Sequence, residues 1–583
     1  MKSVNILIIL TNCVFVANLV NSYPYFPTCT SIDSNSFVLN TLNGKVKGSC
    51  NNVSVNYVSK PKTASPILYF LGIPYAQPPV GKLRFKNALP VNSWANTLDG
   101  TKPPNRCFQI DPLGTRHLHN VSEDCLQLNV YVPYDIFLNA VTLKNESFKA
   151  PVYVYIHGGA FAVGASIEET HEPSTFVAMS NVIVVNINYR LGIFGYLYAN
   201  GTDSRGNQGI LDQSLALKWI FENAHTFGGD NSKITIGGQS AGAFSVAMHL
   251  VYKPSWPYFS SAIIQSGTLP YTKCISTTEA TRRLNGVSLI SNCSKSTNEK
   301  TLDCLRTIEP NLLAKLSIEY FDLNNWPLIV FDEITIKKQP SDSFAQGEFK
   351  NANLLIGSNT KEFGISFAPK GLTPISLENE ASLAGILMFS FPGNQKLVNE
   401  IIDFYVKPLN KTQLAHNHVD VYVDHLIEII GDSNFVIPSI QLAEYQSKKN
   451  SNVFAYSYAY HIGSSGFESK YEAVHSEEMF MVFGEPLSVK SSPLLNTGIY
   501  TGYSSLHHNY SVADCKVSEQ MMNYWSNFIK NNNPSLTSGE WPMFNSQTDK
   551  LSRKIMLLNG SRSMASHFKL NDPKYLFWTN DNN

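Results

Sequence analysis

The sequence predicts an α/β protein: a large, mostly parallel central sheet with helices on both faces. Short runs of β-branched and aromatic residues recur at Val152–Ile156, Val182–Ile187, Lys233–Ile236, Ser261–Ile264, Leu354–Ile356 and Val453–Tyr460. Most are continuously apolar rather than alternating, the pattern of strands covered on both sides. Helical periodicity lies between some of them, as in Gln213–Phe221, and strands alternating with helices argue for parallel pairing. Functional groups of such sheets gather beyond the carboxyl ends of the strands, so chemistry is sought just after these runs.

The chain opens on what reads as an export signal over residues 1–22, with Lys2 before the apolar stretch Ile6–Val20 and the small Ser22 at its end. That stretch is short for a spanning helix and sits at the N-terminus, which favours cleavage over anchoring. No later run is long and apolar enough to span a bilayer, and the polar tail from Lys574 to Asn583 carries neither a lipid-anchor signal nor a retrieval tetrapeptide. Residues 23–583 show no internal repeat and no long Pro/Gly/Ser linker, so they read as a single domain with long insertions. Of 583 residues 43% are hydrophobic and 15% charged, a globular composition. Lys+Arg and Asp+Glu are both 45 with no basic run, which removes any electrostatic case for nucleic acid or an anionic membrane.

Export predicts disulfides and glycans. Of nine cysteines Cys13 leaves with the signal, and the even remainder permits pairing in an oxidising compartment without fixing connectivity. Glycosylation sequons begin at Asn52, Asn120, Asn145, Asn200, Asn292, Asn410, Asn509 and Asn559.

Two motifs carry chemistry. The run Val152–Ile156 leads into His157-Gly158-Gly159-Ala160-Phe161; small residues at a strand end let backbone N–H groups approach a carbonyl oxygen that becomes negative. His157 reads as a structural member of this loop rather than a base. After Lys233–Ile236 comes Gly237-Gly238-Gln239-Ser240-Ala241-Gly242-Ala243, G-x-S-x-G between a strand and a helix-compatible run. A serine on that tight turn projects its hydroxyl into the site, and the residue after it opens a helix whose first N–H groups lack intrahelical partners.

With these motifs in place the chain resembles the type-B carboxylesterase/cholinesterase family, from about Val46 to Trp541. The ordered matches include Phe70-Leu71-Gly72-Ile73-Pro74-Tyr75-Ala76, Ser122-Glu123-Asp124-Cys125-Leu126, Asn188-Tyr189-Arg190-Leu191-Gly192 and Phe227-Gly228-Gly229-Asp230. The resemblance implies the α/β-hydrolase fold and a secreted serine carboxylic-ester hydrolase with a Ser240–Glu362–His475 triad. Glu362 ends Gly357-Ser358-Asn359-Thr360-Lys361-Glu362, where Phe363 departs from the family's usual glycine, and His475 lies in Val474-His475-Ser476-Glu477-Glu478. Gly159, Ala160 and Ala241 would form the oxyanion hole, Ala160 replacing a customary glycine. The same resemblance implies Cys107–Cys125 and Cys293–Cys304 disulfides and buried Arg84–Glu123 and Arg190–Asp212 ion pairs. Cys29 and Cys50 are candidates to bracket an N-terminal hairpin; Cys274 and Cys515 have no assignment.

The implied partner is a small-molecule carboxylic ester, in the secreted space or the lumen of the secretory or endolysosomal pathway, with no metal and no cofactor; the oligomeric state is open. Thr115 stands where cholinesterases place a choline-stacking tryptophan, and Gln239 where they favour Glu, so the resemblance points to a general carboxylesterase rather than a cholinesterase. The rival readings are a catalytically dispensable adhesion, matrix or storage glycoprotein of the same fold, and a lipase.

Overall fold

The computed structural model describes residues 29, 37–55, 63–110, 120–269, 274–321, 329–366, 377, 379–391, 393–407, 418–449, 452–464, 472–488, 509–544, 552–560, 565–569 and 572–579. The expected leader at 1–22, Thr115 and the sequon at Asn410 lie outside these residues.

The framework is an eleven-stranded sheet. Its strands in chain order are β1 (Ser49–Val55), β2 (Thr63–Pro74), β3 (Gln127–Pro133), β4 (Ala150–Ile156), β5 (Ile183–Ile187) and β6 (Gly229–Gln239). They continue with β7 (Ser261–Gln265), β8 (Asn353–Asn359), β9 (Val453–Tyr458), β10 (Ser552–Leu558) and β11 (Ala565–Lys569). The order across the sheet is β11-β10-β9-β8-β7-β6-β4-β5-β3-β2-β1. All pairings among β4 to β10 are parallel, whereas β1, β2, β3 and β11 join antiparallel at the two edges.

The six apolar runs read from the sequence are β4 to β9. The edge strands carried no such signal. β2 is broken by a register shift between Phe70 and Ile73, where Gly72 takes φ +65° and donates its N–H to Asn129 Oδ1 at 3.0 Å. β1 presents half-buried Asn51, Asn52 and Ser54 at the sheet's edge.

Strand alternation divides the core into two layers. Val152, Val154 and Ile156 of β4 face one cluster, with Leu217 and Ile220 of α1 (Gln208–Asn223) and Phe244 and Val246 of α2 (Ala241–Val251). A separate helical cluster unites Leu383 and Leu387 of α3 (Glu380–Ser390), Ile401 of α4 (Gln395–Tyr405) and Leu426 of α5 (His418–Gly431), with Val474 packed into it. Tyr153 and Tyr155 of β4 face the opposite layer, with Met481 of α6 (Glu478–Phe483) and Trp525 and Phe528 of α7 (Val512–Asn531). Both sheet faces are therefore covered, which is why the Val152–Ile156 run of β4 and the Leu354–Ile356 run of β8 read as unbroken apolar runs.

Disulfides join Cys107 to Cys125, Cys293 to Cys304 and Cys29 to Cys50; Cys274 and Cys515 are free thiols. Arg84 forms a two-pronged pair with Glu123 at 2.6 Å per arm, and its remaining N–H groups reach the carbonyls of Leu305 and Ile308. Arg190 clasps fully buried Asp212 at 2.6 and 2.7 Å. The charges are satisfied as buried pairs must be.

Candidate active site

β6 runs on past Lys233–Ile236 to Gln239, so Ser240 sits directly at its carboxyl end, with φ 56° and ψ −125°, and α2 starts at the next residue. A non-glycine residue with this backbone is strained by about 1–3 kcal/mol and needs its surroundings to hold it. The surroundings do so through close backbone contact. A Cβ on Gly242 would overlap the carbonyl oxygen of Ile156, and one on Gly238 would lie 2.5 Å from the Gly242 carbonyl carbon. The Ser240 N–H donates to Gln265 O at 3.0 Å, and Ser240 O accepts from Phe244 at 2.9 Å. The two glycines of the motif are thus spaces that β4 and α2 require.

Beside this turn, β4 ends in the glycine loop. Gly159, Ala160 and Phe161 all have positive φ, at 107°, 51° and 58°. The turn is closed by the N–H groups of Ala162 and Val163 donating to Gly159 O at 2.9 Å each, a closure that uses neither the Gly159 nor the Ala160 N–H. Ala241 occupies the first turn of α2, where amide hydrogens lack intrahelical acceptors. A Cβ on Gly158 would come within 3.1 Å of Ser240 Cβ, so the loop lies against the serine. His157 is buried, stacks on Tyr189 with ring centroids 4.4 Å apart, and is pushed down to about 3 by burial. It is a packing element of the loop.

The acid and the imidazole meet next to the turn. Past β8 the chain makes an isolated parallel bridge, Lys361 with Val474, and His475 N donates to Glu362 O at 3.2 Å. These contacts set the side chains face to face: Glu362 Oε2 is 2.6 Å from His475 Nδ1. Glu362 is 1% exposed, and its other oxygen accepts the Asn359 N–H at 2.7 Å. A carboxylate at Nδ1 puts the ring proton there and leaves Nε2 as the acceptor. Burial lowers the pKa of His475, but Glu362 outweighs it and leaves the imidazole raised above its ordinary value. Nε2 lies 3.1 Å from the side-chain amide of Gln239, the residue before Ser240.

Behind this pair stands Glu478, fully buried and pushed up to about 7 by burial and then by the Glu362 carboxylate. It accepts from Asn359 Nδ2 at 2.8 Å and Gln265 Nε2 at 3.3 Å, and Gln265 accepts from Trp525 Nε1 at 3.1 Å. Sequence reasoning quoted Asn359 and Glu478 inside motifs without giving them work. The available signals were an Asn three residues before the acid and a Glu opening a helix three residues after the histidine.

A serine on a strained turn, backbone amides beside it and a carboxylate-bound imidazole are groups that acyl-transfer chemistry can use. A sequence profile of the carboxylesterase family matches residues 35–578. The chain belongs to the carboxylesterase family. It is 31% identical to the cholinesterase of Mus musculus, over 93% of this chain and 86% of that protein. It is 31% identical to the acetylcholinesterase of Bungarus fasciatus over 86% and 81%, and 29% identical to carboxylesterase 1D of Rattus norvegicus over 95% of each. As a family member the chain is a carboxylic ester hydrolase of α/β-hydrolase fold acting on small-molecule esters. Among the described residues, no group of three or more His, Cys, Asp or Glu is arranged to hold a metal, and no helix is long and apolar enough to cross a membrane.

Proposed function

We propose that this carboxylesterase-family protein cleaves esters through an acyl-enzyme on Ser240, with His475 as general base and acid and Glu362 as its orienting carboxylate. The observation that carries the reading is the 2.6 Å contact between Glu362 Oε2 and His475 Nδ1, made beside the strained turn that presents Ser240. His475 Nε2 takes the Ser240 proton as Oγ attacks the ester carbonyl. Glu362 keeps the ring in the required tautomer and stabilises imidazolium without accepting the proton. The N–H groups of Gly159, Ala160 and Ala241 hold the tetrahedral oxyanion, each worth about 3 kcal/mol. His475 then protonates the leaving alkoxide, and water repeats the sequence on the acyl-enzyme.

Gln239, uncharged beside the nucleophile, supports a general carboxylic ester over a choline ester, because it offers no negative charge to a quaternary ammonium. Residues 23–583 act as one domain of an exported protein whose leader, 1–22, is removed. Three disulfides support an oxidising compartment. Asn120, Asn145, Asn200, Asn292, Asn509 and Asn559 are exposed and Asn52 is half-buried, which suits glycosylation.

An organophosphonate probe tests the chemistry. One covalent adduct on Ser240, lost in Ser240→Ala together with hydrolysis of short-chain p-nitrophenyl esters, is the expected result. A protein that turns over these esters equally well as Ser240→Ala, or takes the probe elsewhere, sinks the reading.

A further inference from the structure

Gln239 has no part in the scheme above, yet its carboxamide is in contact with the working face of the base. Its Nε2 is 3.1 Å from His475 Nε2. The Glu362 carboxylate at Nδ1 places the ring proton on that side, so Nε2 offers a lone pair and accepts from the amide. That lone pair is the one required for the Ser240 proton. The other end of the carboxamide faces the oxyanion loop: a Cβ on Gly158 would lie 3.1 Å from Gln239 Oε1. One uncharged side chain bridges the base and the loop on which an oxyanion would rest.

We propose that Gln239 is a positioning residue that caps His475 Nε2 in the resting enzyme and leaves it when an ester enters, so that the base reaches Ser240 only in an occupied site. This rests on the esterase reading above. A neutral N–H donor at Nε2 favours the uncharged ring, because imidazolium would set N–H against N–H. A carboxylate in the same place would do the reverse. Among the described residues, the other groups facing the ring are Glu362 at Nδ1 and the Glu478 carboxyl, with the Phe435 ring 4.9 Å away; all three remain in variants at position 239.

The test uses the full chain and two near-isosteric variants, Gln239→Met, which removes the donor, and Gln239→Glu, which adds charge. The pH dependence of kcat/KM and of kcat is followed with a p-nitrophenyl ester. The acid limb of kcat/KM is expected to move upward in Gln239→Met. It moves further, by about one pH unit, in Gln239→Glu, a tenfold loss on the acid side. The limb of kcat, which reports the substrate complex, stays with wild type in Gln239→Met because the amide has already left the ring. Coincident kcat/KM limbs in labelled, active proteins overturn this proposal alone, as does an equal shift of both limbs in Gln239→Met. Loss of probe labelling in both variants at every pH also overturns it, by making residue 239 structural. Wild type without Ser240-dependent labelling overturns the esterase reading itself, and this one with it.

Discussion

The Ser240 turn and the Glu362–His475 pair meet at one rim of the sheet but are built differently. Residues 233–243 hold strand, turn and helix start in one stretch, and the glycines are dictated by backbone that passes close by. Glu362 and His475 are 113 residues apart. They meet because the chain after β8 bridges Lys361 to Val474, and because Asn359 donates to both Glu362 and Glu478 while Gln265 donates to Glu478, which holds the two buried carboxyls in place. One region is held by steric exclusion, the other by satisfied charge. They should therefore fail differently when broken.

The largest effect is expected at the nucleophile itself. Ser240→Ala should cost on the order of 10⁶-fold in kcat. If both regions work as one unit, as proposed, Ser240→Ala with His475→Ala should cost scarcely more than either alone, read from steady-state rates against the uncatalysed reaction. Glu362→Gln tests the charged region separately: about 10⁴-fold in kcat with the fold retained by circular dichroism, since an amide at Nδ1 selects the wrong tautomer. Rates within tenfold of wild type would show that the carboxylate does not orient the base.

Gly242→Ala tests the steric region. The added methyl meets the Ile156 carbonyl, which is backbone and cannot rotate away. A loss of about 1–3 kcal/mol in thermal or urea unfolding is expected, with probe labelling lost as Ser240 is displaced. Unchanged stability would mean that the turn tolerates side chains there.

A subtler difference is pH. The Glu478 carboxyl is raised to about 7, above an unfolded value of about 4.3. The folded state therefore holds a proton that the unfolded chain has released. Its stability contribution is present in acid and lost as pH rises between those two values. Glu478→Gln should flatten the Tm–pH curve between about 4 and 7, and a curve of unaltered slope would remove Glu478 from this role. The smallest effect concerns Ala160, at φ 51°: Ala160→Gly should relieve roughly 1 kcal/mol of left-handed strain. A Tm that falls instead would show that the loop gains from the methyl.

The two regions also differ in how they could be read. The runs that became β4 to β9 were legible because strands covered on both sides are mostly apolar and lack a regular polar alternation. The edge strands were not, since β2 is interrupted at Leu71-Gly72 and β1 is half-buried. The Ser240 turn and the Gly159–Ala160 loop were legible without any alignment, because close backbone approach restricts residue type locally. Glu362 and His475 came only through family resemblance; in isolation they are one acid and one imidazole among many. Cys29 and Cys50 were legible only as candidates to bracket an N-terminal hairpin; the structure joins them, a choice that no spacing rule makes among eight cysteines.

What the sequence by itself determined is the sterically constrained part: which strands lie beneath helices on both faces, where the chain must turn through glycine, and which serine that turn exposes. Tertiary structure alone decided which carboxylate touches the imidazole, that a second carboxyl lies behind it, and that the Gln239 amide covers Nε2. Steric limits act between neighbours along the chain and so leave a mark in residue order. Desolvation and charge–charge coupling depend on distance in space, which folding sets between residues the chain keeps far apart.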